Sequence, residues 1–258
     1  MFIIGERING MFKNVARAIV SRDKKSIQEL AVAQLNKGAD ALDVNVGPAS
    51  PNPTKDMVWL IQILQEITDK PLVIDSPSVA VIQESLPEVK NPVIINSTTA
   101  EDHKLQNLLP LAKQYNAKII ALTIDEGGVP KDAESRLELA VKIITHAQEA
   151  GLSPKDVYID PVLLPVNVAQ DHSPEVLKAL REVKLLCDPA PPTVVGLSNV
   201  SQGAKQRSLI NRTFVVMALA CGLDSAILDP LDDDVINAIK TAEILLNEQI
   251  FCPDYLSI

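Results

Sequence analysis

The residues with chemical potential in this 258-residue chain are polar side chains that follow short apolar runs. In chain order they are Glu6 and Asn9, Asp43 and Asn45, Asp75, Asn96, Thr123, Asp160, Ser198 with Asn199, and Asp229. Carboxylates and amides dominate the set; Lys and Arg are scarce in it. Each residue taken singly reads as a turn or helix N-cap residue, because Asp, Asn and Ser satisfy free backbone N–H groups at such points. The full series is harder to explain that way, since Asp75 and Asp160 follow their apolar runs directly, where no cap is required. Ionised carboxylates only accept hydrogen bonds, while side-chain amides both donate and accept. Gathered at one place, they suit a neutral or cationic heterocycle rich in N–H and NH₂ donors, such as a 2-amino-4-oxopyrimidine edge. They are a poor cradle for phosphate, which is held by Arg, Lys or backbone amides. An octahedral Mg²⁺ or Mn²⁺ site is the competing reading of the carboxylates. No His stands among them, because His103 and His146 fall within helical segments and His172 at a helix start, so no metal is expected. No Ser, Cys or Lys has an evident partner for nucleophilic catalysis, and Cys221 falls in an apolar stretch that reads as core.

One mouth gathers these residues only if the elements carrying them run parallel. The apolar runs predict strands at Phe2–Gly5, Ala41–Val46, Leu72–Ile74, Val93–Ile95, Lys118–Leu122, Val157–Ile159, Thr193–Leu197 and Ser225–Leu228. Helix-period segments separate them at 24–37, 54–68, 78–86, 101–115, 132–150, 173–186, 207–221 and 233–247, with Gly38 stopping the first and Thr54 capping the second. Eight strand–helix units in about 250 residues match a closed (β/α)₈ barrel, whose strand C-termini converge on one face. An open doubly wound sheet is the alternative, but Gly5-Glu6-Arg7-Ile8-Asn9-Gly10 is not the G-x-G-x-x-G turn expected there. No shift in composition marks a linker, so a single α/β barrel domain over residues 1–258 is expected.

Composition narrows the classes further. Hydrophobic residues at 47% and charged residues at 22% are those of a globular chain, and exclude disorder and collagen. A net charge of −9 and only 3% aromatic residues argue against nucleic acid, which requires a basic face and stacking platforms. The three cysteines, Cys187, Cys221 and Cys252, form no C-x-x-C pair and fit a reducing compartment. The start MFIIGERING lacks a basic region and a long apolar core, and no stretch approaches the ~18 apolar residues of a membrane span. A cytoplasmic protein is expected.

The strand-end segments also carry a resemblance. GERINGMF at Gly5–Phe12, ALDVNVGP at Ala41–Pro48, VIDS at Val73–Ser76, INST at Ile95–Thr98, YIDPVLLPVNVAQDH at Tyr158–His172, GLSNVSQ at Gly196–Gln202 and NRTF at Asn211–Phe214 form an ordered set across nearly the whole chain. The set resembles the pterin-binding barrel methyltransferases, in particular those acting between 5-methyltetrahydrofolate and a corrinoid/iron-sulfur protein in the reductive acetyl-CoA (Wood–Ljungdahl) pathway. The resemblance implies that Asp75, Asn96 and Asp160 hold the pterin ring, that Asn199 bonds N5, and that Gly196, Ser198, Gln202 and Arg207 lie along the rest of the folate. Glu6, Asp43 and Asn45 are secondary candidates. Arg207, the one cation in that group, would face the carboxylates of the p-aminobenzoyl-glutamate portion or sit as a surface residue at a helix start. The resemblance further implies a homodimer that binds no cofactor of its own, takes methyltetrahydrofolate as methyl donor and receives the cobalt corrinoid on its partner protein. The related dihydropteroate synthases carry Ser-Arg-Lys after the seventh strand, where this chain reads Ser198-Asn199-Val200, and a C-terminal Arg-x-His that has no counterpart near Asp229. Without those cations the means of stabilising a departing pyrophosphate is missing.

Overall fold

The computed structural model describes residues 1–48 and 50–257. Eight strands run β1 (Phe2–Asn9), β2 (Ala41–Asn45), β3 (Leu72–Asp75), β4 (Val93–Thr99), β5 (Lys118–Leu122), β6 (Val157–Asp160), β7 (Val194–Gly196) and β8 (Ser225–Leu228). Every pairing is parallel, in the order β6-β5-β4-β3-β2-β1-β8-β7. A single bridge between Ile159 and Thr193 brings β6 back to β7, so the sheet forms a nearly closed (β/α)₈ barrel. The nine α-helices of the described residues are α1 (Lys13–Ser21), α2 (Lys24–Asn36), α3 (Pro53–Leu64), α4 (Val79–Ser85), α5 (Asp102–Gln114), α6 (Ala133–Glu149), α7 (His172–Val183), α8 (Arg207–Leu219) and α9 (Asp233–Leu245).

Period-two alternation along the strands builds the site. Ile4, Ala41, Val73, Ile94, Ile120, Tyr158 and Val194 form a buried cluster, one residue from each of the first seven strands, that fills the barrel interior. Two residues further along a strand the side chain points to the same face. That next position is Glu6, Asp43, Asp75, Asn96 and Asp160 on five of those strands. An apolar floor thus carries a polar ceiling, and the ceiling lies at the strand C-termini, where barrel enzymes place their chemistry. The opposite strand faces pack against the helices through Leu42, Val44, Leu72, Ile74, Ile95, Ile119, Ile159 and helix residues such as Leu60, Leu105 and Ile143.

Several boundaries differ from the sequence reading. Strand β1 runs four residues beyond Gly5, through a register shift between Gly5 and Ile8; β4 continues to Thr99, also through a shift. Strands β3 and β6 include Asp75 and Asp160 themselves. Polar residues ended the expected strands early because the apolar run stops there while the backbone ladder continues. Helix α1 was not expected. It is short, and its N-cap residue Phe12 makes no side-chain cap bond, so it has no start signal. Helix α3 is capped by Asn52, which accepts from the Lys55 N–H, instead of by Thr54; Pro53 at the first turn fits that start. Helix α8 ends at Leu219, so Cys221 lies just past it, still in the core.

Candidate active site at the barrel mouth

The ceiling residues of β2, β3 and β4 are joined to one another. Register sets Asn45 beside Asp75 and Asp75 beside Asn96. The Asn45 amide donates to Asp75 at 2.6 Å while its own carbonyl oxygen accepts from the Gly47 N–H at 2.7 Å. The Asn96 amide donates to Asp43 at 3.1 Å. Burial pushes the Asp43 carboxyl well above the usual carboxylate range, and the neighbouring Asp75 charge pushes it further, against the Asn96 bond. Asp75 is also raised, by burial, with the Asn45 and Asp43 bonds opposing. The Asp75 charge thus disfavours a second charge on Asp43.

The β1, β7 and β8 side opens into a cavity of about 370 Å³ lined by Glu6, Ser198, Asn199, Gln202 and Arg207 among others. The Ser198 hydroxyl donates to Glu6 at 2.6 Å. Burial nevertheless raises the Glu6 carboxyl, and Asp229 adds to the rise. Glu6 therefore links the two groups, because its charge also acts on Asp43. Asn199 is exposed on a 3₁₀ turn, Leu197–Asn199, that follows β7 directly. Gly196 makes room for it: a Cβ at Gly196 would stand 2.9 Å from the Asn199 amide nitrogen. Arg207, at the start of α8, donates from Nε to the Ser201 hydroxyl and from a terminal nitrogen to the Ser198 carbonyl, both at 3.1 Å, and so clamps the loop that carries Asn199. Gln202 lines the same cavity.

Asp160 stands apart from both groups. Among the described residues no hydrogen bond ties it to Asp75 or Asn96; its carboxylate accepts from the Val162 N–H at 2.8 Å. Burial pushes its pKa up to about 7, the Val162 bond only partly offsetting it. A buried acceptor of this kind waits for a donor.

Sequence reasoning assigned no role to several residues of the cavity, among them Arg7 and Asn211. Arg7 lies over the Phe12 ring at 4.4 Å and donates to Asp229 at 2.9 Å, so Arg207 is not the only guanidinium at the mouth. Asn211 on α8 also lines the cavity. The Arg7 Nε and the Asn211 side-chain oxygen Oδ1 are buried without a hydrogen-bond partner among the described residues. Only a β1 running past Gly5 would have put Arg7 at the mouth. Among the described residues no group of three or more His, Cys, Asp and Glu is arranged to hold a metal, and no helix is long and apolar enough to cross a membrane.

Comparisons with known proteins agree with this geometry. A family profile described as pterin binding enzyme matches residues 6–229. The methylcorrinoid:tetrahydrofolate methyltransferase of Eubacterium limosum is 33% identical over 257 residues, covering 99% of this chain and 94% of that protein. The methionine synthase of Mycobacterium leprae is 30% identical over 241 residues, which span 88% of this chain but 20% of that longer protein. Among solved structures, the dihydropteroate synthase of Yersinia pestis superposes with a TM-score of 0.71 at 17% identity, covering 96% of this chain and 94% of the other, a likeness of fold.

Proposed function

The chain belongs to the pterin-binding enzyme family, and on that premise we propose that it moves a methyl group between N5 of tetrahydrofolate and the cobalt of a protein-borne corrinoid. The observation that carries the reading is the buried acceptor ceiling. Asp75, Asn96 and Asp160 stand on β3, β4 and β6 above the apolar floor, Asn96 and Asp160 buried and Asp75 part-buried. A 2-amino-4-oxo pterin edge supplies the N–H and NH₂ donors that such oxygens need. Ser198, Gln202 and Arg207 line the cavity at the mouth, beside Gly196 at the end of β7, and the p-aminobenzoyl-glutamate portion would lie along them. The Eubacterium relative is named with the methylcorrinoid as donor. For this chain we assign methyltetrahydrofolate as donor and Co(I) of a corrinoid/iron-sulfur protein as acceptor, the direction that feeds the acetyl-CoA pathway. One site serves either direction, because both pass through the same transition state.

In that direction the methyl carbon bonds to cobalt as its bond to N5 breaks, and the N5–C pair stays on nitrogen. A tertiary amine leaves poorly, so N5 must carry a proton by the transition state. Asn199 serves both forms: its NH₂ donates to free N5 and its carbonyl accepts from N5–H⁺. The second bond is charge-assisted and the stronger, so it favours the transition state. Asn199 has no titratable proton of its own. The raised carboxyls of Glu6 and Asp43 stand at the same mouth and are suited to hold the proton before it moves. The exposed position of Asn199 suits a methyl donor that a macrocycle must reach from outside. We read residues 1–258 as one catalytic domain working as a homodimer.

The test is spectroscopic. Co(I) corrinoid protein mixed with this chain and methyltetrahydrofolate should lose its Co(I) absorbance and gain that of methylcobalt. No loss with any corrinoid acceptor, while the folate binds, would leave a folate carrier and end the methyltransferase reading. The same preparation should form no pteroate from dihydropterin pyrophosphate and p-aminobenzoate.

A further inference from the structure

Arg136 is the largest side chain buried to within 1% of full exclusion, and it makes no hydrogen bond to a carboxylate among the described residues. A buried guanidinium normally faces a carboxylate that repays its desolvation. Here the donors go to neutral acceptors on three separate segments. A terminal nitrogen donates to the Asp132 carbonyl at the start of α6 (2.9 Å), the other to Nδ1 of His172 at the start of α7 (3.1 Å), and Nε to the Pro161 carbonyl just beyond β6 (2.8 Å). Arginine only donates, so Nδ1 of His172 is unprotonated. Asp132 and Glu175 supply the compensating negative charge from α6 and α7.

The Pro161 contact matters most. The carbonyl of Pro161 and the N–H of Val162 belong to the same peptide group. Its oxygen is held by Arg136, and its N–H donates to the Asp160 carboxylate at 2.8 Å. Guanidinium, peptide dipole and carboxylate thus stand in line, each end of the peptide facing the charge that suits it. Val162 is held at φ 62, a left-handed conformation that a β-branched residue adopts only when its surroundings insist. We propose that Arg136 is a positioning residue for Asp160: through the Pro161–Val162 peptide it fixes the carboxylate at the barrel mouth and favours its ionised form, the form that accepts from a pterin. The consequence for folate affinity rests on the proposed function; the relay itself does not.

The experiment uses Arg136→Met and Arg136→Lys in the full chain. The Asp160 carboxyl is followed by NMR of ¹³Cγ-labelled aspartate, with Asp160→Asn identifying the resonance, and methyltetrahydrofolate affinity is measured from pH 6 to 9. Loss of the guanidinium charge and of the bond that holds the Pro161–Val162 peptide should raise the Asp160 midpoint by about one pH unit in Arg136→Met. From midpoints near 7 and 8, the ionised fraction at pH 7 falls about fivefold, so the folate Kd should rise about fivefold there and return almost to the parent value at pH 9. Arg136→Lys keeps one donor and the charge, and should fall between the two; should the methionine variant fail to fold, the lysine variant alone gives the reading. A merely structural arginine would lower the unfolding midpoint without moving the Asp160 titration, and would weaken folate equally at every pH. An unmoved titration in the folded variants, or a pH-independent loss of affinity, overturns the proposal. A parent protein that binds no folate sinks the pterin reading instead, and the titration still decides the relay.

Discussion

Replacing Asp160 by Asn should make the protein more stable and a poorer folate binder at once. Burial raises the Asp160 pKa from 3.8 to about 7. Between those values the folded protein holds a proton that the unfolded chain has released, so stability falls as pH rises through this window. Below about pH 4 both states are protonated and the residue contributes nothing; above pH 7 the penalty is complete. At about 1.4 kcal/mol per pH unit, the gap amounts to about 4 kcal/mol of native-state destabilisation. Asparagine removes it while its carbonyl still accepts from Val162, but its NH₂ enters a site with no acceptor supplied, costing about 1–2 kcal/mol. Urea titrations at pH 8 should therefore show Asp160→Asn more stable than the parent by about 2–3 kcal/mol, with little or no gain left at pH 4. Calorimetry should show weaker folate binding in the variant. In the parent it should show a proton released on binding below pH 7, because the pterin selects the carboxylate. A variant less stable than the parent at pH 8 would refute the reasoning, since it would mean that the carboxylate is already satisfied inside the protein.

Asn199→Ala should slow methyl transfer and weaken methyltetrahydrofolate by about 1–3 kcal/mol, the loss of one hydrogen bond at N5; unchanged rate and affinity in stopped-flow assays would remove Asn199 from the chemistry. Asn96→Ala takes the amide donor from the buried Asp43 carboxyl and should cost about 1–3 kcal/mol in urea melts, with the larger loss at alkaline pH, where Asp43 must ionise unaided. Gly10→Ala would place a Cβ 2.1 Å from the Val46 carbonyl oxygen. Because backbone cannot yield as a flexible side chain can, about 2 kcal/mol or more should be lost, read as a lower denaturation midpoint.

The strand–helix alternation was legible because buried parallel strands are written as runs of Val, Ile and Leu, with no polar face to confuse them. Lys118–Leu122 and Ser225–Leu228 match to the residue for that reason. The same rule misleads at the mouth, where the inward column changes from apolar to polar while the ladder continues, as from Val73 to Asp75 and from Tyr158 to Asp160. Helix α1 carried too weak a start to be seen. The acid and amide residues of the ceiling were legible as a set, since each falls within or directly after an apolar run. Arg7 was hidden by the irregular extension of β1. Arg136 was unreadable, because its partners Pro161 and His172 lie 25 and 36 residues away in sequence and only the folded barrel brings them near.

The meeting of β6 and β7 has its own consequence. Every other neighbouring pair of strands is laced by a run of partners, whereas this seam holds one bridge and the bond from the Ile159 N–H to the Pro192 carbonyl at 2.8 Å. A cylinder breathes where its stitching is thinnest. That line passes between Asp160 at the end of β6 and Gly196–Asn199 at the end of β7, so any opening of the seam would widen the gap between the two groups to which ring recognition and N5 are assigned above.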